Sequence, residues 1–513
     1  MKKLLLILLA AVIAGPLIFA SCGGEEEETG GTLKCISAVI PNVLGYGPEK
    51  SASDNFYMLP VIERLAEWGD ESGTIVGVLA ESWDVDTEAL TFTWNLREGV
   101  KFHDGTNWDA EACRWNFELA LDAGVLSDGQ YIDSLEVVDE HTLRMHLNKF
   151  AWNMVESWGL MSPISPTAFM NSGDTEEARI EWARMNAVGT GAFTVAEYQR
   201  DDYIKFVKNE NYWREGMPYL DAIEIRMITE PTTAAAMMEA GEADMWFAVS
   251  DMQSLVSLED QGMKLNWGPG MFVCILLNSA DPDSYFAIKE VREAVEYALD
   301  RPAIADMIGQ GKFEALHQMA SSTWPGYVEG YDPRPYNPDK AREKLVAAGL
   351  PTGFTTTIMA LDTARDEVAA IQAYLGEVGI IVEPDIADVG RYFEAMFFSG
   401  WPDMFFTASG INPSATDLFV HYGPDPLTFR SGSIYKSPEY LALCNEALEP
   451  QYTSAAEAMD IIKDAIRQAG EDCMIIPLWR TAEAGIMQTY VHSDYPLIHG
   501  IIWTPYDDWM EEH

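Results

Sequence analysis

Leu79-Ala-Glu-Ser-Trp-Asp-Val-Asp86 and Leu90-Thr-Phe-Thr-Trp-Asn-Leu-Arg-Glu-Gly-Val-Lys-Phe-His-Asp-Gly-Thr106 form the stretch on which the reading of this chain turns. From Leu90 to Arg97 apolar and polar residues alternate, the period of a strand with one face in a core. Glu98-Gly99 turns the chain, Val100-Lys-Phe102 is a short extended piece, and His103-Asp104-Gly105 ends it with turn chemistry. Asp109 then stands as N-cap to a helix expected over Ala110–Leu121. A strand pair follows at Ser134–Val138 and Thr142–Leu147, around Asp139-Glu140-His141. The block from about Val61 to Trp182 therefore has the alternation of periods expected of a small α+β unit.

Upstream, Leu59, Ile62, Leu65 and Ala66 recur at helical spacing and predict a helix over Phe56–Trp68. Before it, Leu33–Ile40 reads as a strand. Downstream, strands are expected at 193–198, 203–208, 223–228 and 243–248, with a helix over 232–240. At Gly268-Pro269-Gly270 the composition becomes a cluster of breakers. Beyond it, strands (271–278, 355–359, 380–384, 403–408) alternate with helices (288–298, 338–349, 368–378). That pattern implies a βαβ-type sheet in a second lobe, with the tail returning to the first. The expected division is 33–60 with 183–270 and 481–513 as lobe I, 61–182 as an inserted α+β domain, and 271–480 as lobe II.

The chain start is an address. A positive head at Met1-Lys2-Lys3, an apolar run from Leu4, and Phe19-Ala-Ser-Cys22 have the anatomy of a secretory signal (residues 1–21). Residues 22–32, with Glu25 to Glu28 among glycines, read as an extended acidic tether. The net charge of −48 argues against nucleic-acid binding, because such a surface repels phosphate backbones. Six cysteines occur without a C-x-x-C pair, which disfavours a zinc ribbon or a thioredoxin-type site. The eight histidines are scattered, so no metal site is expected. No P-loop, H-E-x-x-H or G-x-S-x-G is present, and Val188-Gly-Thr-Gly-Ala-Phe193 lacks the third glycine of a dinucleotide fingerprint. No cofactor is expected.

Several blocks together resemble the family 5 solute-binding proteins of ABC importers. They are the opening stretch, Val188–Phe193, Lys208-Asn-Glu-Asn-Tyr-Trp213 with Pro218–Asp221, Glu290–Arg301, Tyr336-Asn-Pro-Asp-Lys-Ala341, Glu377–Val382 and Ile476-Pro-Leu-Trp479. Phe19–Cys22 resembles a bacterial lipobox, with Phe19 where Leu is usual, which implies lipidation of Cys22. The resemblance implies an α/β, two-lobed, type II periplasmic-binding-protein-like clamp with an extra α+β domain in the first lobe. It implies a non-enzymatic monomer, lipid-anchored outside the cytoplasmic membrane, that captures a small-molecule or peptide solute and passes it to ABC permease subunits. Its hinge would lie near 269–272 and 480–484. An extracellular hydrolase and a non-transport receptor are the alternatives from other classes.

Trp401, Phe405, Phe406 and Tyr422 surround the segment that carries a ligand-contacting loop in this family. Aromatic walls suit peptides and sugars, though core packing is the commoner use of each ring. Peptide-binding members often carry Asp-Tyr-x-Asp-Pro in that loop. Here Ser409 stands at the first Asp and Asn412 at the second, with Gly410 between them and Asp417 eight residues beyond Ser409. A hydroxyl cannot act as counter-ion to a peptide ammonium, which argues against a free peptide N-terminus as ligand. Tyr46, in the loop after the first strand, is the candidate from lobe I, since such loops face the crevice of an α/β sheet.

Overall fold

The computed structural model describes residues 30–69, 74–249, 251–409, 421–424, 432–496 and 502–512. Cys22, most of the tether, Gly410, Asn412 and Asp417 lie outside the described residues.

The chain opens with β1 (Thr32–Ser37), and a short helix, Asn55–Met58, follows the loop after it. The helix expected over Phe56–Trp68 does not form beyond that turn. Pro60 removes a backbone donor where the next helical bond is needed. The chain instead runs irregularly to β2 (Ala66–Trp68), which forms a hairpin with β3 (Ile75–Gly77).

The opening stretch of the sequence supplies β4 (Ala80–Asp86) and β5 (Thr91–Leu96). With β6 (Ile132–Asp139) and β7 (Thr142–Leu147) they make a four-stranded sheet of order β4-β5-β7-β6. The expected helix spans Ala110–Asp122, and the Asp109 side chain accepts from the Ala112 amide, satisfying an orphan donor of its first turn. Phe92, Trp94, Phe117 and Trp158 are each at most 1% exposed beneath this sheet. Burying each such ring contributes on the order of 2–3 kcal/mol.

A second, larger sheet unites the rest of the molecule. It takes in β8 (Phe193–Gln199), β9 (Tyr203–Lys208), β10 (Ala222–Met227), β11 (Met245–Phe247), β12 (Lys264–Leu277), β13 (Glu314–Ala315), β14 (Phe354–Leu361), β15 (Ile380–Ala387), β16 (Met404–Ser409) and β17 (Ile476–Met487). The order is β15-β14-β16-β12-β17-β11-β1-β10-β9-β8, with β13 on β17. β1 lies parallel to both β10 and β11, and β14 parallel to β15 and β16; helices 231–239 and 365–377 make crossovers between parallel strands.

β12 and β17 are the long antiparallel pair on which both halves hang. The breaker cluster at 268–270 does not end a strand, as its composition suggests. It lies inside β12, where the register shifts between Pro269 and Phe272. A Cβ at Gly268 would collide with the Pro496 carbonyl, and one at Gly270 with the Thr481 backbone. These glycines admit a neighbouring chain at close range.

The 61–182 segment also touches the far half of the sheet. The Trp152 indole donates to the Ala447 carbonyl at 2.8 Å, at the end of helix Pro438–Ala447. One continuous apolar cluster runs from Trp94 and Trp158 through Trp152 to Tyr440 and Ile462.

Candidate functional site

The strand directions locate the site. β11 runs from Met245 to Phe247 alongside Met487 to Gly485 of β17, so its carboxyl end points toward Glu483. β16 runs from Met404 to Ser409 alongside Leu277 to Phe272 of β12, so its carboxyl end points toward Gly270. Carboxyl ends of strands from the two halves therefore meet the β12–β17 crossing from opposite sides. In open α/β sheets the loops leaving those ends line the ligand crevice.

At the crossing, the Met271 amide donates to Thr481 Oγ1 at 2.7 Å. Arg480 is 6% exposed and donates to Ser321 Oγ at 2.8 Å and Thr323 Oγ1 at 2.6 Å. Glu483 accepts from the Tyr495 hydroxyl at 2.7 Å, and burial pushes its carboxyl up to about 7. The same Tyr495 oxygen accepts from the Ala248 amide at 3.2 Å, just past the end of β11. A short chain of hydrogen bonds thus joins the crossing to the lip of one half.

Trp401, Phe405 and Tyr422 are core residues. Phe405 is 0% exposed and lies between Tyr392 (centroids 4.6 Å apart) and Trp401 (4.8 Å), and the Tyr422 hydroxyl lies 3.7 Å from Cys274 Sγ. Tyr46 is likewise buried: it is 6% exposed and stacked over Phe169 at 6.5 Å. The loop after β1 folds back onto helix Pro166–Asn171, and apolar area wins over cleft exposure. Ser409 ends β16 opposite Phe272, where the chain enters the loop containing Gly410, Asn412 and Asp417. His103 and Asp104 serve structure. His103 Nε2 lies 2.9 Å from the Gly191 carbonyl, and Asp104 accepts from Ser165 and Thr106 hydroxyls.

Residues that sequence reasoning missed gather in a cavity of about 330 Å³ between segment 47–64 and segment 116–164. Lys50 and Arg64 enter it from one side, and Ser127, Ser157, Ser162, Leu126 and Met161 from the other. The Lys50 ammonium donates to Ser162 Oγ at 3.3 Å, and Arg64 Nη2 to Asn55 Oδ1 at 3.3 Å. Burial, reinforced by the Arg64 charge and opposed by Asp54, pushes the Lys50 ammonium down to about 7. Burial likewise pushes the Arg64 guanidinium down to about 10, against the opposing charge of Glu67. A second cavity, of about 370 Å³, lies on the other side of Arg64 and is lined by Glu67, Asp494, Asp507 and Asp508. No sequence signal marked Lys50 or Arg64. A lysine in a polar loop and an arginine in an expected helix both read as solvated surface.

This architecture is that of a type II periplasmic binding protein, a clamp whose lobes share two crossing strands. The chain belongs to the bacterial extracellular solute-binding proteins, family 5, whose profile matches residues 74–425. It is similar to the glutathione-binding protein GsiB of Shigella flexneri, 30% identical over 356 residues, covering 65% of this chain and 67% of that one. The GsiB of Salmonella paratyphi A is 29% identical over 419 residues, 77% of this chain and 79% of the relative. Among solved structures, DppA of Helicobacter pylori in complex with peptide STSA superposes with a TM-score of 0.82 at 22% identity, over 94% of this chain and 99% of that one. AgaA of A. tumefaciens R10 in complex with agropinic acid gives 0.79 at 22% identity, over 94% and 99%.

Proposed function

We infer that this protein captures a small solute outside the cytoplasm by closing its two lobes about the β12–β17 crossing, and delivers it to the permease of an ABC importer. The observation that carries this reading is the convergence of strand carboxyl ends from both halves on one crossing pair. Ligand contacts in both lobes would favour the closed state and shift its population. Glutathione, the peptide STSA and agropinic acid, named with the relatives, all carry carboxyl groups. The lobe boundaries expected above fit this clamp: the four-stranded sheet lies wholly within 61–182, and residues 269–272 and 480–484 face each other in β12 and β17.

A lipidated Cys22 followed by an acidic tether would hold a monomeric clamp at the outer face of the membrane. Cys22→Ser should move the protein from the membrane to the soluble fraction. Capture is tested by native mass spectrometry of the protein purified without refolding, together with small-angle scattering. A co-purified solute whose removal increases the radius of gyration is the expected result. A protein that carries no solute, and keeps one shape with every candidate added, would contradict the reading.

A further inference from the structure

Lys50 and Arg64 form a pair of cations at one cavity, and neither has a carboxylate within 4 Å among the described residues. Lys50 leaves the turn Gly47–Glu49, and Arg64 lies in the irregular run that follows Pro60. Arg64 is 6% exposed, and its Nε has no hydrogen-bond partner among the described residues. Asp54, the nearest acid on the same segment, already accepts from the amides of Asn42 and Ser51 and from the Ser51 hydroxyl. Asp128, next in sequence to the lining residue Ser127, is not part of the cavity wall and accepts from Asn153 and Ser157.

None of the residues lining the cavity is Asp or Glu, in a chain with 81 of them against 33 Lys and Arg. Lys50 is half-buried and Arg64 buried; Asp54 opposes the charge cost on the first and Glu67 on the second, and an anion in the cavity offsets the like-charge repulsion between the pair. The cavity beyond Arg64 is different, because its own wall supplies carboxylates. Here the remaining lining is hydroxyl-bearing near Lys50 and apolar at Leu119, Leu126, Leu160 and Met161. Ser162 accepts from Lys50, so its own proton is free to donate into the cavity.

We propose that this cavity receives a carboxylate of the transported solute, with Lys50 and Arg64 as its specificity-determining cations, Ser162 as a donor and the leucine–methionine wall against the carbon skeleton. The inference rests on the solute-capture reading above and assigns the group that the captured solute must carry.

The test uses the mature protein and four variants: Lys50→Gln, Arg64→Gln, Lys50→Arg and Arg64→Lys. Calorimetric titration compares glutathione, N-acetylated dipeptides and glutarate, each as free acid and as carboxamide. For at least one probe the acid should bind wild type ten-fold or more tighter than its amide. Lys50→Gln and Arg64→Gln should each abolish that preference, while Lys50→Arg keeps most of it. The unliganded melting temperature of both Gln variants should equal or exceed that of wild type, because each removes one of two neighbouring like charges. A merely structural pair would lower it. Acids and amides that bind wild type equally would overturn the proposal without needing any variant to fold, and would leave solute capture standing. So would a neutral or cationic co-purified solute. A wild-type protein that binds nothing in any class would sink both readings.

Discussion

Gly268 shows how much can depend on one absent Cβ. Its backbone is not left-handed; it is crowded, with the Pro496 carbonyl where a side chain would start. Gly268→Ala should therefore cost roughly 1–3 kcal/mol, the range for an overpacked site. Urea denaturation would measure this as a lower midpoint. Lys50 leads to a pH effect of definite sign. Burial and the Arg64 charge lower its charge-holding tendency, and Asp54 on its own segment opposes them. With its ammonium pushed down to about 7, Lys50 is charged below that pH and neutral above it. Affinity for a carboxylate solute should fall between about pH 6.5 and 8.5 in wild type, and this component should vanish in Lys50→Gln. Calorimetry at several pH values checks it, and affinity that rises over that range would contradict it.

At the scale of elements, two segments show propensity losing to covalent and tertiary constraint. Residues 56–68 have helical periodicity, yet the helix stops at Met58 because Pro60 cannot donate the next bond. That break turns Arg64 toward the cavity instead of solvent. Residues 268–270 have breaker composition, yet they sit within a fourteen-residue strand because β17 pairs with them on one side. The contact between the inserted unit and helix Pro438–Ala447 has a consequence for closure. Trp152→Phe removes the donor to the Ala447 carbonyl, a bond worth about 1 kcal/mol net. Because the bond links parts on opposite sides of the expected hinge, solute affinity should weaken by about five-fold. An equal affinity in the variant would place that contact in both the open and closed states.

For the molecule as a whole, the proposed closure would convert solute binding into a shape that a permease can read. Ser409, at the end of β16, stands where the family resemblance expects an acid in peptide-binding members, and on that expectation the ammonium of a free dipeptide would lack this counter-ion. Simple dipeptides should raise the melting temperature weakly or not at all. A matching solute at about 100 times its Kd should add roughly 2.7 kcal/mol. Strong, saturable stabilisation by free-amine dipeptides would refute the assignment of Ser409.

Local patterns by themselves determined the strands of the four-stranded sheet, the Asp109-capped helix, and the alternation of strand and helix from β14 to β15. Each of these is written in short-range periodicity or in turn and cap chemistry, which act within a few residues. Only the tertiary structure decided that Tyr46, Trp401, Phe405 and Tyr422 belong to the core, because an aromatic ring reads the same in sequence whether it lines a crevice or fills one. Only the tertiary structure, too, brought Lys50 and Arg64 to one cavity wall and kept carboxylates off it. The opening stretch of alternating residues specifies a sheet, but the charge of the space beside that sheet comes from residues whose meeting no local pattern encodes.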